Sequence, residues 1–161
     1  MKGRAAMYLI DGHNLIPNLP GLNLAVLEDE DILIQWLQVF CRQTRKRAEV
    51  YFDGAPPGRA GVRRVGGSLT AHFVRQGSTA DDAIARRLRQ LGRDARNWKV
   101  VSTDRRVQAE AAAAGAERIR SDEFARQLQR TLAEAPDSGT PAAGGDIEEW
   151  LRLFGAEDEN S

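Results

Sequence analysis

Hydrophobic and polar positions along the chain fall into blocks that read alternately as strand and helix. Met7–Ile10 is a short continuous apolar run stopped by Asp11-Gly12, the mark of a buried strand. A stretch rich in Pro, Asn and Gly predicts a loop after it. Between about Glu28 and Arg47 the apolar residues Ile32, Leu33, Trp36, Leu37, Val39 and Phe40 recur at helical spacing. Arg42, Arg45, Lys46 and Arg47 stand at the end of that helix, where cations complement its negative pole. Glu49–Phe52 is the next predicted strand, and it too runs into Asp-Gly. The Pro, Gly and Arg content of Ala55–Gly67 predicts a loop, and the β-branched and aromatic residues of Ser68–Val74 a third strand.

The same alternation continues downstream. Ser78–Leu91 predicts an amphipathic helix with Ile84, Leu88 and Leu91 inward, and Lys99–Ser102 a strand. Thr103–Ala114 reads as an alanine-rich helix closed by Gly115, Ala116–Ile119 as a short strand, and Ser121–Leu132 as a last helix opened by Ser-Asp-Glu. Strands alternating with helices indicate an α/β fold, a mainly parallel sheet with helices on both faces. This domain is expected over residues 1–132. The Pro, Gly, Ser and Ala of 133–145 predict a linker. Residues 146–155 follow as a short amphipathic helix carrying Ile147, Trp150, Leu151 and Phe154, and 156–161 as an acidic tail.

Composition narrows the classes. A chain of 161 residues, 42% hydrophobic, suits one domain with a core of its own. The single cysteine, Cys41, excludes an intramolecular disulfide, and no Cys/His set has zinc-site spacing. The apolar run near the start is too short for a signal-peptide core or a membrane span, so a soluble cytoplasmic protein with no membrane partner is expected. A net charge of zero hides an asymmetry, because 22 of the 23 basic residues but only 15 of the 23 acidic ones fall within 1–132. All the basic residues but Lys2, Lys46 and Lys99 are arginines, whose planar fork suits phosphate, so a polyanionic partner is reasonable.

The candidate chemistry lies in the aspartates. Three predicted strands run into one: into Asp11, into Asp53, and through Thr103 into Asp104. In an open parallel sheet, ligand sites lie outside the carboxyl ends of the strands, which brings these distant positions together. Asp81 and Asp82, opening the helix after the third strand, can face the same edge. Crowded carboxylates repel one another, so they take up protons or bind a cation. Ligation by oxygen alone suits Mg²⁺ or Mn²⁺, which can supply hydroxide near neutral pH and stabilise charge at a phosphate.

Each acidic residue also has a bland explanation: Asp-Gly is ordinary turn chemistry, Ser78 and Thr79 with Asp81 and Asp82 fit an acidic capping box, and Asp104 can open a helix. What those explanations do not account for is the arrival of all four elements at one edge. Asn14 either fixes a carboxylate or a bound water or ends the turn. His13 reads as a surface loop residue outside the catalytic set, and Ser102 and Thr103 as pocket or cap residues.

The ordered set Ile10-Asp11-Gly12-His13-Asn14, Phe52-Asp53-Gly54, Gly77-Ser78-Thr79-Ala80-Asp81-Asp82 and Val101-Ser102-Thr103-Asp104 resembles the YacP-like branch of the NYN domains, within the PIN-like nuclease superfamily. The resemblance spans roughly residues 7–132. It implies a PIN-like three-layer α/β sandwich, dependence on Mg²⁺ or Mn²⁺, RNA endonuclease activity, and a translation setting with the ribosome as a partner. On that pattern Asp11, Asp81 and Asp104 would be catalytic metal-binding carboxylates, with Asn14 and Asp53 beside them; whether Asp81 or Asp82 points inward is open. The C-terminal residues 148–155 also look like the ending of some relatives, as a helix that docks on its own domain or binds a partner.

Arg59, Arg63, Arg64 and Arg75, with Arg42, Arg45, Lys46 and Arg47, are candidates to border the acidic pocket and track an RNA backbone. Aromatic residues are few, so base-specific stacking is not expected. Two rival classes are a non-catalytic RNA- or ribosome-binding module and a small-molecule phosphatase. The absence of an Asp-x-Asp nucleophile motif and of a glycine-rich phosphate loop argues against the second, and against a nucleotide cofactor.

Overall fold

A computed structural model of the chain describes residues 7–22 and 27–135. In chain order the elements are β1 (Met7–Asp11), α1 (Gly12–Leu15) running into a 3₁₀ turn (Ile16–Asn18), α2 (Leu27–Thr44), β2 (Arg47–Ala55), β3 (Gly61–Val65) and β4 (Leu69–Arg75). There follow α3 (Ala80–Leu91), a 3₁₀ segment (Gly92–Asn97), β5 (Trp98–Val101), α4 (Arg105–Ala114), β6 (Glu117–Ile119) and α5 (Ser121–Glu134). The strands form one sheet in the order β3-β4-β2-β1-β5-β6, parallel throughout except for β3, which is antiparallel to β4.

Strand parity divides the core. Tyr8, Ile10, Val50, Phe52 and Val101 face α2 and α5, where Tyr8, Phe40 and Phe124 meet ring to ring. Leu9, Tyr51 and Val100 face the other way, onto Ile84 and Leu88 of α3 and Val107 and Ala111 of α4. Helices therefore cover both faces of the sheet, the three-layer α/β sandwich expected from the sequence. Cys41 of α2 is buried and unpaired, and burial pushes its thiol up to about 12.

Several expected boundaries move. The expected loop at Ala55–Gly67 contains β3, an edge strand that the chain builds despite its arginines because it pairs along its whole length with β4. Strand β2 does not stop at Asp53: a bulge at Asp53-Gly54, with Gly54 at φ +77°, carries it on to Ala55. Residues after Asp11 are helical rather than looped. That turn needs Gly12, because a Cβ there would lie 2.4 Å from the Phe52 ring and 2.9 Å from the Tyr51 carbonyl. Helix α5 runs past Leu132 to Glu134. The rest of the expected linker, the helix at 146–155 and the tail at 156–161 lie outside the described residues.

Candidate active site

Strand β1 is the topological switch point. From it the chain builds β2, β3 and β4 on one side, then crosses to β5 and β6 on the other. In such sheets the crevice outside the carboxyl end of the switch strand is the natural ligand site, and Asp11 is the residue that ends β1. Its parity matches Leu9, so it faces the α3 and α4 side. Asp11 is only 6% exposed, and Ser102, directly after β5 and fully buried, donates its hydroxyl to Asp11 Oδ2 at 3.0 Å. Burial above all, then repulsion from Asp81, Asp53 and Asp104, raises the Asp11 carboxyl to about 6 against the lowering effect of Ser102. Asp81, in the first turn of α3, is raised as well, by burial and by Asp104. The four acidic elements that the sequence assigned to one edge thus share one electrostatic pocket.

Each carboxylate is held by local backbone chemistry. Asp53, at the β2 bulge, accepts the Ala80 N–H at the start of α3 through Oδ2 at 3.1 Å. Asp104 is the N-cap of α4, its Oδ1 accepting from the N–H groups of Arg106 and Val107, while its own N–H donates to Ser102 Oγ at 3.0 Å. Thr79 caps α3 by accepting the Asp82 N–H. Asp82 itself turns outward to Arg106 at 2.7 Å, whose guanidinium holds its carboxyl below the usual range. Of the adjacent pair, both admitted as candidate ligands from the sequence with the inward one left open, Asp81 faces the other aspartates and Asp82 faces Arg106 at the surface.

Asn14 plays a different part from either expectation. Its Oδ1 accepts from the Thr103 N–H at 2.8 Å, from the Thr103 hydroxyl at 3.0 Å and from the buried Ser121 hydroxyl. The side chain is a strut between α1, the end of β5 and the start of α5. With its oxygen so engaged, it positions the loop that presents Asp104.

The sequence reading set His13 aside, and it missed Glu30. His13 Nδ1 lies 3.1 Å from Asp53 Oδ1, and its Nε2 meets Glu30 Oε2. Burial opposes charge on the imidazole, but the two carboxylates outweigh it and raise its pKa. Glu30, 6% exposed, also takes an ion pair from Arg59 at 3.2 Å. Arg59 and Arg63 both reach Asp31, and both guanidinium groups lie over the Phe73 ring. The available signal was the acidic run Glu28-Asp29-Glu30-Asp31, which reads on its own as dipole complementation at the start of α2.

The arginines expected to border the pocket separate into groups. Arg59 and Arg63 are engaged with carboxylates. Arg75 ends β4 at the aspartate edge and is exposed. Arg64 pairs with Thr70 near the start of β4, at the far end of the sheet. Arg45, Lys46 and Arg47 stand at that same far end, because α2 delivers the chain there to begin β2; they do not border the aspartates.

Among the described residues no three His, Cys, Asp or Glu groups already stand at metal-binding spacing. The donors present are nonetheless hard carboxylate oxygens, two of them with pKa values raised by burial first and then by the neighbouring aspartates. Mg²⁺ is commonly held by one or two carboxylates and completes its shell with water, so this set fits such a cation.

A family model for the YacP-like NYN domain matches residues 8–141. The chain is similar to two crystal structures of Rae1 (YacP) from Bacillus subtilis. One, of a tryptophan-to-leucine mutant, has a TM-score of 0.65 at 25% identity, with 92% of each chain covered. The other has a TM-score of 0.66 at 24% identity, covering 91% of this chain and 79% of that one. No curated protein matches.

Proposed function

The chain belongs to the YacP-like NYN domain family, a family of PIN-like nucleases, and from that premise we propose that it is a divalent-metal-dependent endoribonuclease acting at the carboxyl end of β1. The observation that carries the reading is the raised Asp11 carboxyl, buried at the switch point and repelled by Asp81, Asp53 and Asp104. A pocket that holds this much unneutralised negative charge favours a cation and disfavours a bare phosphate. Asp11, Asp81 and Asp104 would hold the ion, with Asp53 beside them.

When bound, Mg²⁺ or Mn²⁺ supplies Lewis acidity at a phosphodiester and makes nearby water more acidic. The chain's own residues do the rest. Ser102 fixes one Asp11 oxygen and, by accepting the Asp104 backbone N–H, ties the Asp11 carboxylate to the main chain that presents Asp104. Asn14 and Ser121 hold the Thr103 turn, and His13 holds Asp53. Arg75, exposed at the same edge, is the group best sited to meet an RNA phosphate there. A cytoplasmic role in translation, with the ribosome as partner, belongs to the same proposal. Among the described residues no helix is long and apolar enough to cross a membrane.

The test is cleavage of labelled RNA with Mg²⁺ or Mn²⁺, alone and with ribosomes, by the wild type, Asp11→Asn and Asp104→Asn. Cleavage by the wild type that both variants lose supports the assignment. Cleavage that survives both substitutions refutes the site, and RNA binding without cleavage, persisting in EDTA, makes the domain a binding module instead.

A further inference from the structure

We propose that the end of the sheet opposite the aspartates is a second RNA contact, a rim that grips the phosphate backbone of helical RNA. The proposal shares with the preceding section only the choice of RNA as partner. At this end lie the starts of the parallel strands: Arg47 opposite Met7, Met7 opposite Trp98, and Ala48 opposite Leu69. The turn before β2 contributes Arg45 and Lys46, β3 contributes Arg64, and the 3₁₀ segment before β5 contributes Arg93 and Arg96.

These six cations have no ion-pair partner among the described residues, and all but the half-buried Lys46 are exposed. The contrast with the other end is what gives them meaning. There Arg59, Arg63 and Arg106 are taken up by Glu30, Asp31 and Asp82. Glu49, which lines the cavity at this end, is already occupied by the Arg87 fork and the Tyr51 hydroxyl. The other acidic groups at this end, Asp94 between Arg93 and Arg96, Glu117 at the start of β6 and Glu134 at the end of α5, are outnumbered by the six cations.

The rim also has shape. A polar cavity opens between Arg47 and Arg64, with the Ser68 and Thr70 positions, Glu49 and Trp98 in its lining. From β3 to β5 the rim crosses four strand spacings, about 19 Å, and it stands roughly 13 Å along β1 from Asp11. Phosphates seated here are therefore distinct from one held at the aspartates. Trp98 is 4% exposed and the only exposed large hydrophobic among the described residues is Val62. With no exposed aromatic ring among the described residues, the rim reads regularly spaced phosphates rather than unstacked bases, which favours a helix over a single strand.

The experiment uses the full chain carrying Asp11→Asn, in EDTA, with a short labelled RNA duplex as probe and fluorescence anisotropy against salt as readout. Replacing Arg47, Arg64 and Arg93 by Gln is expected to weaken binding by on the order of tenfold or more and to lower the log–log salt slope by about 3. The same loss of charge at Arg86, Arg126 and Arg130, exposed on α3 and α5, is expected to change neither. Hydrogen exchange gives a second measurement with no substitution at the rim: the duplex should protect Ser68–Thr70 and Gly92–Asn97. Equal affinity and slope in the rim and control variants overturns the proposal. So does tighter binding of a single strand of equal length, or binding to phosphatidylserine vesicles in place of the duplex. Loss of RNA cleavage by the wild type would count against the nuclease assignment and leave these readouts untouched.

Discussion

Asp11→Asn should make the chain more stable at neutral pH while removing its cleavage activity. Asp11 is 6% exposed, and its carboxyl stands at about 6, against an ordinary value of 3.8. Burial contributes most to the rise, and the neighbouring aspartates add to it. Because the folded value lies above the unfolded one, the folded chain holds this proton more tightly. The stability associated with Asp11 is therefore fully present below about pH 4 and is lost as pH rises through about 6. A rise of roughly two units corresponds to about 3 kcal/mol at pH 7 and above. Asparagine keeps an oxygen able to accept the Ser102 hydroxyl, so the substitution removes charge and preserves the contact. Urea unfolding in EDTA across pH 4 to 8 measures the difference. The two proteins should coincide at the acid end and diverge to about 3 kcal/mol by neutrality, the variant being the more stable. Added Mg²⁺ should then close the gap by stabilising the wild type alone. A gap that does not vary with pH, or a variant less stable than the wild type at pH 7, would refute the reasoning.

Three further outcomes follow from the same geometry. Asp104→Asn keeps an N-cap that asparagine serves as well as aspartate, whereas Asp104→Ala loses it; both should abolish RNA cleavage, but only the alanine variant should lose about 1 kcal/mol in thermal or urea unfolding. Gly12→Ala forces a Cβ against the fully buried Phe52 and should lower stability by about 1–3 kcal/mol, read as a reduced urea midpoint. His13→Ala removes the bridge between Asp53 and Glu30. Since the folded imidazole titrates above its ordinary 6.5, the stability lost should be greatest below pH 6.5 and should shrink as pH climbs past the raised value.

The core strands and the acidic edge were legible because both rest on local signals, namely apolar runs and what terminates them. Met7–Ile10 could be seen as a strand and Asp11 as its end with no partner in view. Strand β3 was not legible, because Gly61-Val-Arg-Arg-Val acquires its conformation from pairing with β4 and from Arg63 lying over Phe73. The short helix α1 was hidden for a related reason: Gly12 reads as half of an Asp-Gly turn until Phe52 is known to lie against it. His13 and Glu30 are 17 residues apart in sequence, and no periodicity links a turn residue to the first turn of the next helix. The basic residues after α2 failed in another way. Their number was evident, but which end of the sheet they occupy depends on the direction of α2, and a sequence-level view of the pocket does not register it.

Cys41 has a practical consequence. The chain contains one sulfhydryl, 2% exposed, with its thiolate disfavoured until about pH 12. Such a group is nearly inert to maleimides and mild oxidants while the domain stays folded. A cysteine introduced at an exposed site can therefore be labelled selectively without first removing the native one. Conversely, the rate at which Cys41 itself becomes modifiable reports the opening of α2 from the sheet, giving a chemical clock for local unfolding in the native protein.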